Sequence, residues 1–343
     1  MSNELVRLED ILEEDWEASL RPTSLDDFTG QEQLISRLRI RVEAAKRKGA
    51  SLPHMLFTGP AGLGKTSLAS LMASELGVNM QETSGEALTN SGDIYAILKS
   101  MEDGDVLFID EIHRLNKATA EALYPAMEDF KVPLVLGRGP SAKLEIKEVP
   151  RFTLVAATTE AGKIKKPLRE RFGFVGRLAY YTPEELKEIV VRSAAVKELS
   201  IDEQAAEMVA LRSRGTPRKA NMWLSGLADF ALVYGEEEHI SAPVAEGFFE
   251  SEGIDPLGLE EREREYLHIL CERFEGAFVG VKNIGAVMGE SEDSLTEIEE
   301  WLIHEQLVVK SNQGRAATRK AYLHLNLRLP YQPRGMVLEE TLV

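Results

Sequence analysis

Residues 57–78 read FTGPAGLGKTSLASLMASELGV, and within them Gly59, Gly64, Lys65 and Thr66 have the spacing of a phosphate-binding loop. No other stretch limits the possible folds as strongly. Glycines let successive N–H groups turn inward around an anion, and the helix that follows aims its positive end at the same point. Lys65 is spaced to reach the β- and γ-phosphates of ATP, and the Thr66 hydroxyl to ligate Mg²⁺. A plain Gly-rich turn before an amphipathic helix would use similar letters. The context argues against it, because the apolar run HMLFTG comes just before and the strong helix former SLASLMASEL just after. The expected unit is strand, loop, helix and bound nucleotide.

Composition narrows the rest. With 343 residues the chain has room for two or three domains, and 43% hydrophobic with 28% charged residues is ordinary folded composition. Cys271 is the single cysteine, which rules out an intramolecular disulfide and a cysteine-based zinc site. The N-terminal stretch MSNELVRLEDILEEDWE is acidic where a signal peptide would be basic and then apolar, and no run of 18 apolar residues occurs. No membrane association is expected, and the cytoplasm is the default location. A formal net charge of −17 excludes a protein that coats nucleic acid with its whole surface, though not a local basic patch. In the arm at 1–19, Glu4, Glu9, Asp10, Glu13, Glu14, Asp15 and Glu17 face only Arg7, so it reads as solvated or partner-facing.

Along the chain the pattern changes twice. Through residue 181, the apolar runs HMLFTG, DVLFID, FTLVAATT and FVGRLAY alternate with helical patterns, which implies an α/β domain with a parallel sheet and a ligand site beyond the strands' carboxyl ends. Residues 130–150 interrupt this with VPLVL and KLEIKEV around a Gly-Arg-Gly-Pro-Ser turn, read as a projecting hairpin. Val132, Leu134, Val135 and Leu136 make its first arm apolar enough to suggest a partner contact. From 182 to 254 the pattern is all helical, with Thr182 and Glu185 spaced as a capping box. GIDPLGL reads as a linker. Residues 255–330 carry three helical stretches and two β-like arms around KSNQGR, the pattern of a winged helix, and 331–343 reads as a loose tail.

Further chemistry is spaced around the loop. GDVLFIDEIH is an apolar strand ending in Asp110, suited to a Mg²⁺ shell, and Glu111, suited to activating water; alternatively Asp110 is a helix N-cap. FTLVAATTEAGKIKKPLRERFGF ends a second strand in Thr158 and Thr159, where a polar group can report the γ-phosphate. Arg169 and Arg171 follow, either as solvated charges or as an arginine supplied to a neighbouring subunit's nucleotide. In RSRGTPRKANMW, Arg218 falls in a helix's first turn, where a cation needs an anion beside it. In the third domain, the acidic helix SEDSLTEIEEWLIHE should be repelled by phosphates. Lys310, Arg315, Arg319, Lys320 and Arg328 follow with no acid among residues 306–334, so DNA contact is expected through the wing, chiefly Lys310 and Arg315.

LRPTSLDDFTGQ, GPAGLGKT, GDVLFIDEIHRLN, LYPAMEDF, GPSA, FTLVAATTEAG, PLRERFG and RSRGTPR stand in one order over residues 20–328, and that series resembles the RuvB family of AAA+ motors. The resemblance implies an AAA+ ATPase domain, a small helical lid and a winged-helix head. It also implies a hexameric ring that hydrolyses ATP with Mg²⁺ and moves double-stranded DNA at a four-way junction in company with a RuvA-like protein docked on the hairpin. Carried over by position, Leu20, Arg21 and Tyr181 would border the adenosine. Gly62, Gly64, Lys65, Thr66 and Ser67 would hold phosphates, with Thr66 and Asp110 on the metal. Thr158 would be the first sensor, Arg218 the second, and Arg171 the arginine acting across subunits. The chain departs from the family in three places. It has Gly59-Pro60-Ala61 where a second proline is usual, Lys310 and Gln313 in the wing where arginines are usual, and Glu275–Phe278 where a glycine-rich turn is usual. Two other classes fit parts of the pattern: another AAA+ remodeller such as a clamp loader, and an ATP-gated DNA-binding initiator or regulator.

Overall fold

The computed structural model describes residues 19–136, 143–235 and 239–330. The acidic arm before residue 19, the Gly-Arg-Gly-Pro-Ser turn and the tail at 331–343 lie outside the described residues. By compactness the chain forms two units, one of residues up to 201 with 215–229, the other of 202–214 with 230 onward.

In the first unit, α1 (Glu32–Lys48) leads to β1 (Met55–Thr58), the phosphate loop and α2 (Lys65–Leu76). There follow β2 (Met80–Ser84), α3 (Ser91–Lys99), β3 (Val106–Asp110) and α4 (Lys117–Asp129). After the hairpin strands β4 (Lys131–Leu136) and β5 (Lys143–Glu148) come β6 (Thr153–Thr158), the short α5 (Lys166–Arg169) and β7 (Phe174–Arg177). Five strands make a parallel sheet in the order β2-β3-β6-β1-β7. The continuously apolar β1 and β6 are buried along their whole length, as expected of strands covered on both faces. β2, with the sequence Met-Gln-Glu-Thr-Ser, has no such run because it is an edge strand, and sequence patterning misses it. β1, β3 and β6 end side by side at Thr58, Asp110 and Thr158, which puts the loop, the acidic pair and the threonine pair at one rim of the sheet.

The hairpin differs from the expectation in an informative way. β4 and β5 pair antiparallel from Lys131↔Glu148 to Leu136↔Lys143. Yet the apolar arm points inward: Val132 and Leu134 join the core cluster with Leu123 of α4 and Leu98 of α3, and Val132 is 0% exposed. The surface instead carries Leu144 and Ile146 of the alternating arm, 68% and 62% exposed. An alternating strand shows its apolar face to solvent when its neighbour has already taken the core.

α6 (Pro183–Val196) begins at Thr182, whose hydroxyl accepts from Glu185 N at 3.2 Å while the Glu185 carboxylate accepts from Thr182 N at 2.8 Å, the reciprocal cap its spacing predicts. The two-residue β8 (Ser200–Ile201), α7 (Glu203–Arg212), α8 (Pro217–Tyr234), the two-residue β9 (His239–Ile240) and α9 (Ala242–Ser251) follow. The head, within the second unit, comprises α10 (Glu261–His268) running into a π turn at Ile269–Arg273, α11 (Val281–Met288) and α12 (Glu292–His304). A two-stranded wing of β10 (Val308–Ser311) and β11 (Gly314–Ala317) and a last helix, α13 (Arg319–His324), complete it. Tyr266, Leu270, Ile284, Leu295 and Leu302 pack its core.

GIDPLGL, the stretch read as a linker, is a tight connection. Asp255 accepts N–H bonds from Leu257 and Leu259, both at 2.9 Å, and meets His324 Nε2 at 2.7 Å. Gly258 has φ +76, and a Cβ there would stand 2.3 Å from the Arg212 carbonyl oxygen, so only glycine fits.

Candidate nucleotide-binding site

The phosphate loop takes the backbone its glycines were expected to allow. Gly59, Gly62 and Gly64 have φ of +144, +75 and +94, and Gly64 caps α2 without a side chain in the way. Lys65 is buried, with its ammonium donating to the carbonyls of Gly59 at 2.9 Å and Pro60 at 2.8 Å. The amine is thereby held across the loop it serves, beside the positive end of α2.

A cleft of about 390 Å³ opens over this loop, large enough for a nucleotide. Gly62, Gly64, Lys65, Thr66 and Ser67 form its floor, and Asp110 and Glu111 its acidic side. Leu20, Arg21 and Tyr181 close one end and Arg218 another. Arg218 follows Pro217 at the start of α8, and its N–H donates to Gly62 O at 3.3 Å, tying that helix start to the phosphate loop. Tyr181 is buried, its hydroxyl donates to Leu63 O at 3.2 Å, and burial raises its pKa. Thr66 and Asp110, both hard oxygen donors on one cleft, suit a Mg²⁺ ion bound between protein and phosphate.

Sequence reasoning missed Arg192. From α6 it lines the cleft, donates to the Asp27 carbonyl through Nη1 and lies 3.5 Å from Leu20 O through Nη2. Burial lowers its pKa from the usual arginine value, with the Asp27 carboxylate opposing. It fastens residues 20–29, which also bring Phe28 and Thr29 to the cleft, against the lid helix. No local spacing announces such a residue.

The two threonines after β6 make different contacts. Thr158 is 0% exposed, does not line the cleft, and its hydroxyl accepts from Glu160 N at 3.0 Å and lies 2.9 Å from His113 Nδ1. It is Thr159 that reaches the acidic pair: its N–H and its hydroxyl each donate to Glu111 Oε2 at 3.1 Å. His113 Nδ1 is 3.0 Å from the same oxygen, and its Nε2 is 3.1 Å from Glu160 Oε1. Alternation along β6 explains the difference, since the last strand residue faces inward and the next one outward.

Arg171 stands apart from the cleft. Its Nη1 donates to Pro167 O at 2.6 Å, its Nε lies 3.2 Å from Glu128 Oε1, and the guanidinium sits 4.2 Å over the Tyr124 ring. Such a position serves no purpose in its own cleft and leaves a role toward a second subunit open. In the head, Arg315 is turned inward. Its Nε donates at 2.7 Å to Glu299 Oε1, which also accepts from Tyr266 OH at 2.8 Å, and Lys310 Nζ is 3.6 Å from Glu299 Oε2. Glu299 is 1% exposed, so Arg315 neutralises a buried carboxylate rather than presenting its charge to solvent. Among the acids of α12, Glu299 is the buried one.

Three family profiles match in succession. The P-loop domain described as that of the Holliday junction DNA helicase RuvB covers residues 20–178, the RuvB AAA lid domain 181–255, and the RuvB C-terminal winged helix domain 256–326. The chain belongs to the RuvB family. Among curated RuvB family members, the Holliday junction branch migration complex subunit RuvB of Rubrobacter xylanophilus is 51% identical over 91% of this chain and 88% of its own. The protein of the same description from Kosmotoga olearia is 47% identical over 95% of this chain and 96% of its own. A solved structure titled Thermotoga maritima RuvB Holliday junction branch migration motor superposes with a TM-score of 0.80 at 43% identity, covering 91% of this chain and 100% of that one. Membership of the RuvB family makes the cleft a nucleotide site of an AAA+ ATPase. Among the described residues no helix is long and apolar enough to cross a membrane.

Proposed function

We propose that this chain is the ATP-driven motor of a branch-migration complex, moving double-stranded DNA through four-way junctions in a homo-oligomeric, hexameric ring in the cytoplasm. What carries the reading is the single cleft that gathers a phosphate loop, an Asp-Glu pair and Arg218 from elements far apart in the chain. Bound ATP has its phosphates cradled by Gly62, Gly64, Lys65 and Ser67, with Leu20, Arg21 and Tyr181 around the adenosine. Mg²⁺, held by Thr66 and Asp110, would neutralise phosphate charge. Glu111 orients and deprotonates the attacking water; Thr158 is the first sensor by family position, and the two bonds from Thr159 to the Glu111 carboxylate favour Thr159 in that role. Arg171 acts on a neighbouring subunit's nucleotide, and Arg218 answers to its own.

The exposed Leu144 and Ile146 support docking of a RuvA-like partner on the hairpin. For DNA, the exposed cations Lys310, Arg319 and Arg328 fit backbone contact, with Arg315 bracing the wing from behind. The deciding experiment is branch migration of a synthetic four-way junction with the RuvA-like protein of the same genome. ATP-dependent strand exchange that Glu111→Gln abolishes is the expected result. ATP turnover that DNA does not stimulate, with no migration, would instead indicate an ATP-gated binding protein.

A further inference from the structure

The backbone under Glu111 is tightly held. Glu111 has φ +44, Gly85 N donates to the Asp110 carbonyl at 2.8 Å, and a Cβ on Gly85 would stand 2.5 Å from Glu111 O. Arg114 N donates to the same Glu111 carbonyl at 2.9 Å, closing a short 3₁₀ turn at Ile112–Arg114 that returns the His113 ring to the Glu111 side chain. The carboxylate lies beyond rotatable bonds that this backbone does not restrain, so its direction depends on the side chains that meet it.

Those contacts converge on one oxygen. Thr159 N and Oγ1, each at 3.1 Å, and His113 Nδ1, at 3.0 Å, all meet Glu111 Oε2, while among the described residues Oε1 takes no hydrogen bond. Thr159 is exposed, whereas the His113 side chain is only 7% exposed, so the imidazole is the buried anchor of the two. The ring is braced at both nitrogens. Buried Thr158 places its Oγ1 2.9 Å from Nδ1, and Nε2 lies 3.1 Å from Glu160 Oε1, a carboxylate oxygen that also accepts from Lys163 Nζ at 2.7 Å. A ring engaged at both nitrogens loses contacts on two edges if it turns.

We infer that His113 is a positioning residue for the hydrolytic step. It holds Glu111 Oε2 and thereby leaves Oε1 for the attacking water, while Glu160 and Thr158 hold the ring. Without the imidazole, only the two donors of an exposed threonine keep the carboxylate in line. A base displaced by about an ångström works poorly even when every group that binds ATP is intact, so the effect falls on turnover and not on affinity. The inference rests on the base role proposed for Glu111.

Phosphate release and nucleotide titration of the full-length chain test this with two substitutions of different reach. His113→Asn puts an amide N–H where Nδ1 stands and keeps a donor for Glu111; His113→Gln puts its amide near the Nε2 position and removes that donor. His113→Asn should keep turnover within about threefold of native, and His113→Gln should lose on the order of tenfold, with ATP affinity within about twofold in both. Equal turnover in the two variants overturns the inference, because a histidine that only fills the space between β3 and β6 does not distinguish the two nitrogens. A double-mutant cycle supplies the second readout. Added to Glu111→Gln, His113→Gln should cost less than about twofold more, since no base is left to orient. A further loss on the order of tenfold means that His113 acts independently of Glu111 and refutes the inference alone. Native turnover in Glu111→Gln refutes the base role, and the inference with it. If the His113 variants do not fold, Glu160→Gln loosens the ring from the surface. It should slow turnover about threefold in the native background and not at all in Glu111→Gln, and any other pattern refutes the proposal.

Discussion

Glu111 sits at φ +44, directly after the last residue of β3, and this left-handed turn swings its carboxylate under the threonine that follows β6. Two donors from Thr159 and a close imidazole then settle on one carboxylate oxygen. If Glu111 is the base, as proposed, these contacts orient its carboxylate before water is bound. Glu111→Gln should bind ATP as the native chain does and turn over about 10²- to 10⁴-fold more slowly, by nucleotide titration and steady-state phosphate release. Thr159→Val keeps the N–H donor and loses the hydroxyl, so turnover should fall on the order of tenfold with ATP affinity unchanged. Thr158→Val should disturb packing around His113 instead. The phosphate loop and the acidic pair were legible in the sequence because each is a contiguous run whose chemistry is local. Arg192 was not, because the carbonyl it approaches at Leu20 lies 172 residues away and nothing near either partner marks the pair.

Among elements, the hairpin and the wing show that a secondary-structure reading does not by itself decide which side chains face the core. The apolar arm of the hairpin packs on α3 and α4, so Leu144 and Ile146 are the surface that remains. Leu144→Ser combined with Ile146→Ser should leave thermal stability within about 0.5 kcal/mol of the native chain, since both are solvated, while binding of a RuvA-like partner measured by calorimetry is lost. In the wing, β10 and β11 were expected from their letters around KSNQGR and are found there, but Arg315 is bonded to buried Glu299. Removing one partner of a buried ion pair costs about 3–5 kcal/mol, so Arg315→Ala should melt the head at lower temperature before it says anything about DNA. Adding Glu299→Gln should recover part of that loss in thermal denaturation. Lys310→Ala and Arg319→Ala test DNA contact more cleanly, each flattening the plot of log affinity against log salt by roughly 0.9. The linker letters Gly, Asp and Pro suit a tight connection as well as a loose one, and at the 255/256 boundary of the lid and winged-helix profiles Asp255, Gly258 and His324 make this one tight.

For the whole molecule, the arrangement of Arg171 sets the question of how one cleft depends on another chain. Its guanidinium rests on Glu128 and Tyr124, outside the cleft of its own subunit, at the end of the basic segment that begins beyond the Thr158–Glu160 turn. A net charge of −17 makes close approach of two copies unfavourable unless specific opposite charges meet, so a cation at the boundary of a neighbouring triphosphate would favour assembly as well as turnover. If Arg171 supplies that charge in trans, Arg171→Ala should keep nucleotide binding and lose turnover on the order of 10³-fold. Lys65→Ala should lose ATP itself, because the amine across the loop is the main monovalent counter-charge in the cleft. Neither variant alone is then active, but a ring assembled from both contains boundaries at which an intact phosphate loop meets an intact Arg171. Mixing the two should restore a fraction of native ATPase activity that rises and falls with the mixing ratio and is absent from either variant by itself. Mixed rings verified by native mass spectrometry that show no recovery at any ratio would mean that Arg171 acts within its own subunit, and the trans arrangement would have to be abandoned.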